Sequence, residues 1–129
     1  MSDIKTELEN LGDTSDYTGH FDPQDIASNK VMGVLAYIGI LVLIPLFAAK
    51  TSPFARFHTN QGLILFIAAI AVNIINWLLG GIPSLGTIIA ILCWILDLGI
   101  FILAILGIVN VVQGKAKDLP LIGSIRILS

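Results

Sequence analysis

Residues 85–113 read LGTIIAILCWILDLGIFILAILGIVNVVQ, and Asp97 is the one charged residue among these 29. A helix that crosses the roughly 30 Å hydrocarbon core of a bilayer needs about 20 apolar residues. At 1.5 Å per residue this stretch would be about 43 Å long, so it predicts one long, tilted transmembrane helix. The alternative is a re-entrant hairpin of two half-helices that turns at 97–99. Each half would have only about 14 residues, too few to cross.

Two further apolar stretches precede this one. Residues 31–49 and residues 62–81 contain no charged side chain, and each is long enough for one crossing. The sequence therefore predicts an all-α integral membrane protein with three transmembrane helices, at about 31–49, 62–81 and 85–113. Pro45 lies inside the first of these, where we expect a kink, because proline removes a helical hydrogen bond.

The composition favours the same class. Of the 129 residues, 56% are hydrophobic and 12% are charged, whereas about 25% of the residues of an ordinary soluble domain are charged. A chain of this length has too little interior to bury so much apolar surface. Its single cysteine excludes a disulfide within the chain.

The charges divide the chain into three parts. Residues 1–30 carry seven acidic and two basic side chains, and they predict a mobile acidic N-terminal tail with a short amphipathic helix over 2–11. Within this tail, Asp22 and Pro23 predict the start of another helix. Residues 31–113 form the predicted membrane domain. Residues 114–129 are first basic and then apolar, so we expect an interfacial tail that lies along the membrane or folds back on the helices.

The basic residues after residue 30 predict the topology. Three crossings place the two termini on opposite sides, and cytoplasmic loops carry the excess of lysine and arginine. If the N-terminus is outside and the C-terminus inside, every base after residue 30 is cytoplasmic. These bases are Lys50, Arg56, Lys115, Lys117 and Arg126. The prediction is a multi-pass protein of a prokaryotic cytoplasmic membrane in that orientation.

The polar connection between the first two stretches contains a candidate motif. Ser52 and Pro53 predict a helix N-terminus, so the second helix is expected to begin before the bilayer. We interpret the polar residues after this start as an interfacial loop motif that anchors the chain among lipid headgroups. The residues of the motif are Arg56, Phe57, His58, Asn60 and Gln61. A docking surface or a lipid-headgroup site is the alternative.

Three polar side chains are predicted inside the membrane. Asn73 and Asn76 lie on a stripe of small residues of the second helix, and Asp97 lies on a similar stripe of the third. We expect the stripes to face each other, with Asp97 near Asn73 or Asn76. A charged carboxyl at mid-depth is costly, so Asp97 is either a structural lock between helices or a relay for a proton or substrate.

Residues for catalysis are not evident. The sequence has no glycine-rich phosphate loop and no nucleophile elbow. With one cysteine and two histidines, His20 and His58, predicted on opposite sides of the membrane, it has no metal-ligand set. It also has no basic stripe with interleaved aromatic residues for nucleic acid. We therefore expect no enzyme activity and no cofactor; the predicted partners are the lipid bilayer and other membrane proteins or a second copy of the chain.

Two short motifs carry a family resemblance. Residues 56–62 read RFHTNQG and come after a stretch that ends IPLF, and residues 119–123 read LPLIG. Over about residues 22–128 the chain resembles the small Tic-twenty-like membrane proteins of bacteria and archaea, which are distant relatives of a chloroplast protein-import subunit. The chloroplast subunit has an additional span, and this sequence lacks one. The family implies no catalytic residues.

Together these observations predict a small, non-enzymatic membrane protein that acts through helix–helix association. The resemblance implies an accessory role in an envelope or protein-transport complex. The alternative is a small oligomeric channel or transporter subunit that uses Asp97, Asn73 and Asn76.

Overall fold

The computed structural model describes residues 15–128, and the regular structure of this part of the chain consists of helices and one isolated bridge between Asp16 and Lys117. It contains α1 (Pro23–Ser28), α2 (Lys30–Leu35), α3 (Leu43–Ala48), α4 (Pro53–Leu79) and α5 (Leu85–Val112). Short 3-10 turns lie at Thr18–His20 and Gly39–Val42. The amphipathic helix predicted over 2–11 lies outside the described residues.

Helices α4 and α5 form a long antiparallel hairpin. They have 27 and 28 residues, and both are long and apolar enough to cross a membrane. Only 11% and 6% of their most apolar stretches are buried, so these are not the core helices of a soluble domain. Water would not tolerate this much exposed apolar surface, whereas a bilayer covers it. The prediction of an all-helical chain with apolar helices long enough to cross a membrane is confirmed for these two helices.

The third apolar stretch forms one uninterrupted helix. Its observed bounds, Leu85–Val112, match the predicted 85–113, and the helix continues through Asp97 and Gly99. The hairpin of two half-helices is therefore wrong.

The first apolar stretch is not a continuous helix, so the three-span prediction is confirmed only in part. Helix α2 ends at Leu35, and the chain resumes as a 3-10 turn from Gly39 before α3 begins. Gly39 has a φ of 51°, a conformation that a right-handed helix does not contain. Pro45 lies in the first turn of α3, where its missing N–H costs nothing, so the break precedes the predicted kink.

The broken segment packs closely against the hairpin. Gly62 of α4 lies against Ala36, where a Cβ would overlap the Ala36 carbonyl group. The buried core lies at this end, around the start of α4 and the end of α5. It consists of Ile26, Ala36, Tyr37, Val42, Phe54, Leu65, Val111, Ala116 and Leu119. We call residues 15–48 and 114–128, which surround this end of the hairpin, the cap.

Both predicted helix starts are confirmed. The Asp22 carboxylate accepts a hydrogen bond from the Gln24 amide at 3.0 Å, with Pro23 as the first residue of α1. The Ser52 hydroxyl accepts from the Ala55 amide at 3.1 Å and begins α4.

Asp25 ties these two helix starts together. Its carboxylate accepts from the Ser52 hydroxyl at 2.7 Å and from the Phe54 amide at 3.0 Å. A carboxylate at a helix N-terminus is favourable because it meets unpaired N–H groups and the positive end of the helix dipole. The described end of the acidic segment therefore docks on α4 through Asp25.

Candidate functional site

The polar motif of the sequence lies in the first turns of α4 and is buried. His58, Thr59, Asn60 and Gln61 are each at most 2% exposed. Four consecutive residues point to all sides of a helix, because successive side chains are 100° apart. Their common burial means that the cap surrounds the helix start. The motif was expected to anchor the chain among lipid headgroups, whereas the structure places His58, Asn60 and Gln61 in the protein interior.

A chain of hydrogen bonds runs through this interior. The Leu119 amide donates to Oε1 of Gln61 at 2.6 Å, and Nε2 of Gln61 donates to the Tyr37 hydroxyl at 2.9 Å. The Tyr37 hydroxyl lies 2.7 Å from Nδ1 of His58, and Nε2 of His58 lies 2.9 Å from the carbonyl oxygen of Lys115.

The protons of this chain have one consistent arrangement. A carbonyl oxygen only accepts, so Nε2 of His58 donates to Lys115. In the neutral imidazole, Nδ1 then accepts a hydrogen bond through the Tyr37 hydroxyl proton. Burial raises the pKa of Tyr37 well above its usual value, so the phenol keeps that proton. These contacts form a neutral, satisfied network that joins the broken segment, α4 and the C-terminal segment.

Asn60 holds the C-terminal segment separately. Its Nδ2 donates to the carbonyl oxygen of Ile125 at 2.8 Å, and its Oδ1 accepts from the amides of Ile127 and Leu128 at 2.7 and 3.0 Å. Among residues 15–128, no buried side-chain nitrogen or oxygen lacks a hydrogen-bond partner. We call the buried hydrogen bonds of Tyr37, His58, Asn60 and Gln61 the polar lock. Their role is structural, because no unpaired group among them is aimed at a ligand.

Arg56 and Phe57 occupy the outer side of the motif. The Phe57 ring contacts the rings of Tyr17 and Phe21, with centroids 5.9 and 5.8 Å apart. The Arg126 guanidinium lies 5.4 Å from the centre of the same ring. Arg56 is half-buried and lines a surface cavity together with Arg126.

The predicted intramembrane polar residues lie on the long hairpin. Nδ2 of Asn73 is 3.4 Å from both carboxylate oxygens of Asp97 and also donates to the Ala69 carbonyl at 2.7 Å. Asp97 is half-buried and Asn73 is exposed. Asn76 lies one turn further along α4, beside Gly80 at the helix end. The structure therefore brings Asp97 to Asn73.

The role of Tyr37 in the cap was not predicted from the sequence. It is the only tyrosine in the apolar stretch 31–49. A tyrosine hydroxyl in an apolar environment usually has a hydrogen-bond partner, so an isolated tyrosine there was the available signal. Within residues 15–128, no group of three or more histidine, cysteine, aspartate or glutamate side chains is arranged to hold a metal ion.

The fold is that of a small all-helical protein with a compact cap and an exposed apolar hairpin whose helices are long enough to cross a membrane. Residues 27–128 match the family model of the magnetosome magnetite crystal formation proteins. The chain belongs to this family. No solved structure matches it.

Named relatives agree with the family match. The chain is 31% identical over 100 residues to the magnetosome protein MmsF of Paramagnetospirillum magneticum, covering 74% of this chain and 83% of the relative. It is 28% identical over 98 residues to the magnetosome protein MamF of Magnetospirillum gryphiswaldense, covering 74% and 79%. MamF of Paramagnetospirillum magneticum is 27% identical over 96 residues, covering 72% and 78%.

The family match corrects the resemblance drawn from the sequence. The Tic-twenty-like assignment is wrong, since the magnetosome family model covers both motifs on which it depended, RFHTNQG and LPLIG. The structure gives these motifs a packing role. Asn60 and Gln61 join α4 to the C-terminal part of the cap, in which Leu119 is a partner of Gln61. Such a lock says nothing about which process a small membrane protein serves. The protein-transport role had only that resemblance behind it.

Proposed function

We propose that this protein is a non-enzymatic membrane component that supports magnetite crystal formation by associating with other membrane helices. The family description supplies the process. The observation that supports the mode of action is the Asn73–Asp97 pair on the hairpin.

In the absence of a partner helix, this pair would face the acyl chains of the lipid. Asn73 is exposed on a surface otherwise rich in large apolar side chains, including Ile70 and Ile74. Polar groups within a membrane are expensive to leave facing acyl chains, and they hydrogen-bond across helices that associate. A further helix that covers Asn73 and Asp97 removes this cost. The partner is another membrane protein or a second copy of the chain.

Two crossings also favour a different topology from the one predicted with three. The Tyr17 amide donates to the Ala116 carbonyl at 2.8 Å, and the Asp118 amide donates to the Ser15 carbonyl at 2.9 Å. Segments in such contact lie on one side of a membrane. We therefore infer that both ends of the described chain lie on the same side. The basic residues of the cap favour the cytoplasmic side.

Complementation tests the proposed process. The chain is expressed in a magnetite-forming bacterium from which the MmsF relative has been removed, and crystal diameters are measured by electron microscopy. Recovery of crystal size supports the proposal. Crystals of the same size as in the strain without the relative, with the protein present in the membrane fraction, would contradict it.

Two variants at one position test the mode of action. Asp97→Asn keeps a hydrogen-bonding side chain, so it should retain both the associated membrane proteins on purification and crystal size. Asp97→Leu should lose both. Asp118→Asn, a matched change in the cap, is the control and should retain the associated proteins.

A channel or transporter subunit is the second candidate. The half-buried carboxylate of Asp97 within a spanning helix favours it. A relay needs an ionisable group, so Asp97→Asn would abolish proton-dependent flux in liposomes. Flux by the unaltered protein and its loss in Asp97→Asn would replace the association proposal.

A further inference from the structure

A basic cavity lies beside the first two turns of α4. Its volume is about 330 Å³, and Lys50, Arg56 and Arg126 contribute to its walls together with Phe57 and Leu128. No carboxylate of the described residues 15–128 lines it. Three cationic side chains from three separate parts of the chain therefore converge on one opening.

The cap holds two of these cations in place. Arg126 forms an ion pair with Asp118 at 2.9 Å and stacks near the Phe57 and Tyr17 rings, at 5.4 and 5.8 Å from their centres. Arg126 also donates to the Gly123 carbonyl. A guanidinium has five N–H donors, so these two contacts leave donors for a second anion. Lys50 lies with its Nζ 5.7 Å from the centre of the Phe47 ring. The cavity is thus partly preorganised for an anion.

Two acidic side chains near this end of α4 have partners among the described residues. Asp118 is the ion-pair partner of Arg126, and Asp25 is bonded to the Ser52 hydroxyl and the Phe54 amide. Among residues 15–128, three basic side chains and no acidic side chain line the cavity, so its described walls are basic. His58, which the sequence grouped with Arg56 at the headgroups, lies in the buried network instead.

An apolar surface adjoins the cavity. The segment that leads to Lys50 exposes Ile40, Ile44 and Phe47, which are 65%, 41% and 66% exposed. Such an apolar surface gives no favourable contact to a free anion, whereas it packs favourably against an acyl chain. An aromatic ring next to a lysine at the end of an apolar helix is also the usual composition of a membrane interface.

We propose that this cavity binds the phosphate of an anionic phospholipid, with the acyl chains along the exposed face of α3. Arginine binds phosphate oxygens with two parallel N–H donors, and lysine adds a point charge. Basic pockets at the ends of membrane helices are suited to such headgroups. The site is independent of the Asn73–Asp97 pair and of the role in crystal formation.

Lipid retention tests this site. The full chain is purified in a neutral detergent, and dioleoyl phosphatidylglycerol or dioleoyl phosphatidylcholine is added before native mass spectrometry. We expect one phosphatidylglycerol to be bound in preference to phosphatidylcholine. Lys50→Gln and Arg56→Gln should each weaken this binding about fivefold, and the double variant more.

The control removes the same charge elsewhere. Lys115 is exposed and does not line the cavity, so Lys115→Gln should keep phosphatidylglycerol bound. Melting temperatures show that each variant is folded. If Arg56→Gln unfolds, Lys50→Gln alone decides the result, because Lys50 is exposed.

Three results would overturn the proposal. Equal retention of the two lipids would show that charge does not select the ligand. An equal loss in Lys115→Gln would show a general electrostatic effect. Displacement of the lipid by millimolar inorganic phosphate would identify a site for free phosphate in place of a headgroup.

Discussion

The hydroxyl group of Tyr37 lies 2.7 Å from Nδ1 of His58 and joins the broken apolar segment to the start of α4. The two residues are 21 positions apart in sequence, and both are buried. Their contact is the central bond of the network that runs from Leu119 to Lys115.

Removal of this hydroxyl should destabilise the cap. Tyr37→Phe deprives Nδ1 of His58 of its donor and Gln61 of an acceptor, and unpaired buried groups cost about 1–3 kcal/mol each. We expect a lower melting temperature by circular dichroism in detergent. Tyr17→Phe, on a half-buried ring, is the matched control and should melt like the unaltered protein. If Tyr37→Phe had the same melting temperature as the unaltered protein, the network would contribute little to stability.

A methyl group at Gly62 should prevent the close contact with the Ala36 backbone. Because a Cβ at Gly62 overlaps the backbone of Ala36, Gly62→Ala should destabilise the protein by at least about 1–3 kcal/mol. Gly99→Ala is the control, since a Cβ there meets no atom within 4 Å and alanine favours the helix. Thermal unfolding of the two variants should change in opposite directions. A stable Gly62→Ala protein would argue against this packing.

Truncation of Asn60 should release the C-terminal segment. Its side chain makes three hydrogen bonds to that segment, so Asn60→Ala should raise the population of the open state at least about tenfold. Limited trypsin digestion, monitored at Lys117 and Arg126, measures this opening. Gln113→Ala removes an exposed amide and should leave the digestion rate unchanged. Equal rates for both variants would contradict the role given to Asn60.

Cysteine labelling should find both ends of the described chain on one side of the membrane. In a Cys93→Ala background, Ser15→Cys and Ser124→Cys should react with an impermeant maleimide from the same side. Ser84→Cys, at the exposed turn of the hairpin, should react from the opposite side. Labelling of residues 15 and 124 from opposite sides would restore the three-crossing topology.

The long helices were predictable because their signal is local. Asp97 lies within 28 consecutive residues whose composition favours one long apolar helix, and no partner is needed to recognise it. The contact with Asn73 was predictable from helical phase and the short turn between the helices. These features can be recognised from neighbouring residues and the period of the α-helix alone.

The broken segment and the buried motif were not predictable in this way. An apolar run such as 31–49 has the length of a span whether it crosses or folds, and its break depends on the φ of Gly39 and the bonds of Tyr37. The partners of His58 and Asn60 are backbone carbonyls 57 and 65 positions away. Backbone groups carry no sequence signal, so such pairing is visible only in three dimensions.

The polar lock also imposes an order in time on the making of this protein. The backbone partners of His58, Asn60 and Gln61 belong to residues 115–128, which the ribosome adds after both long helices. The hairpin is complete, and able to enter a bilayer, before these partners exist. During that interval water or a chaperone must supply hydrogen bonds to the polar side chains at the start of α4. The cap therefore closes only after the hairpin has been made, which makes that step a natural point for quality control.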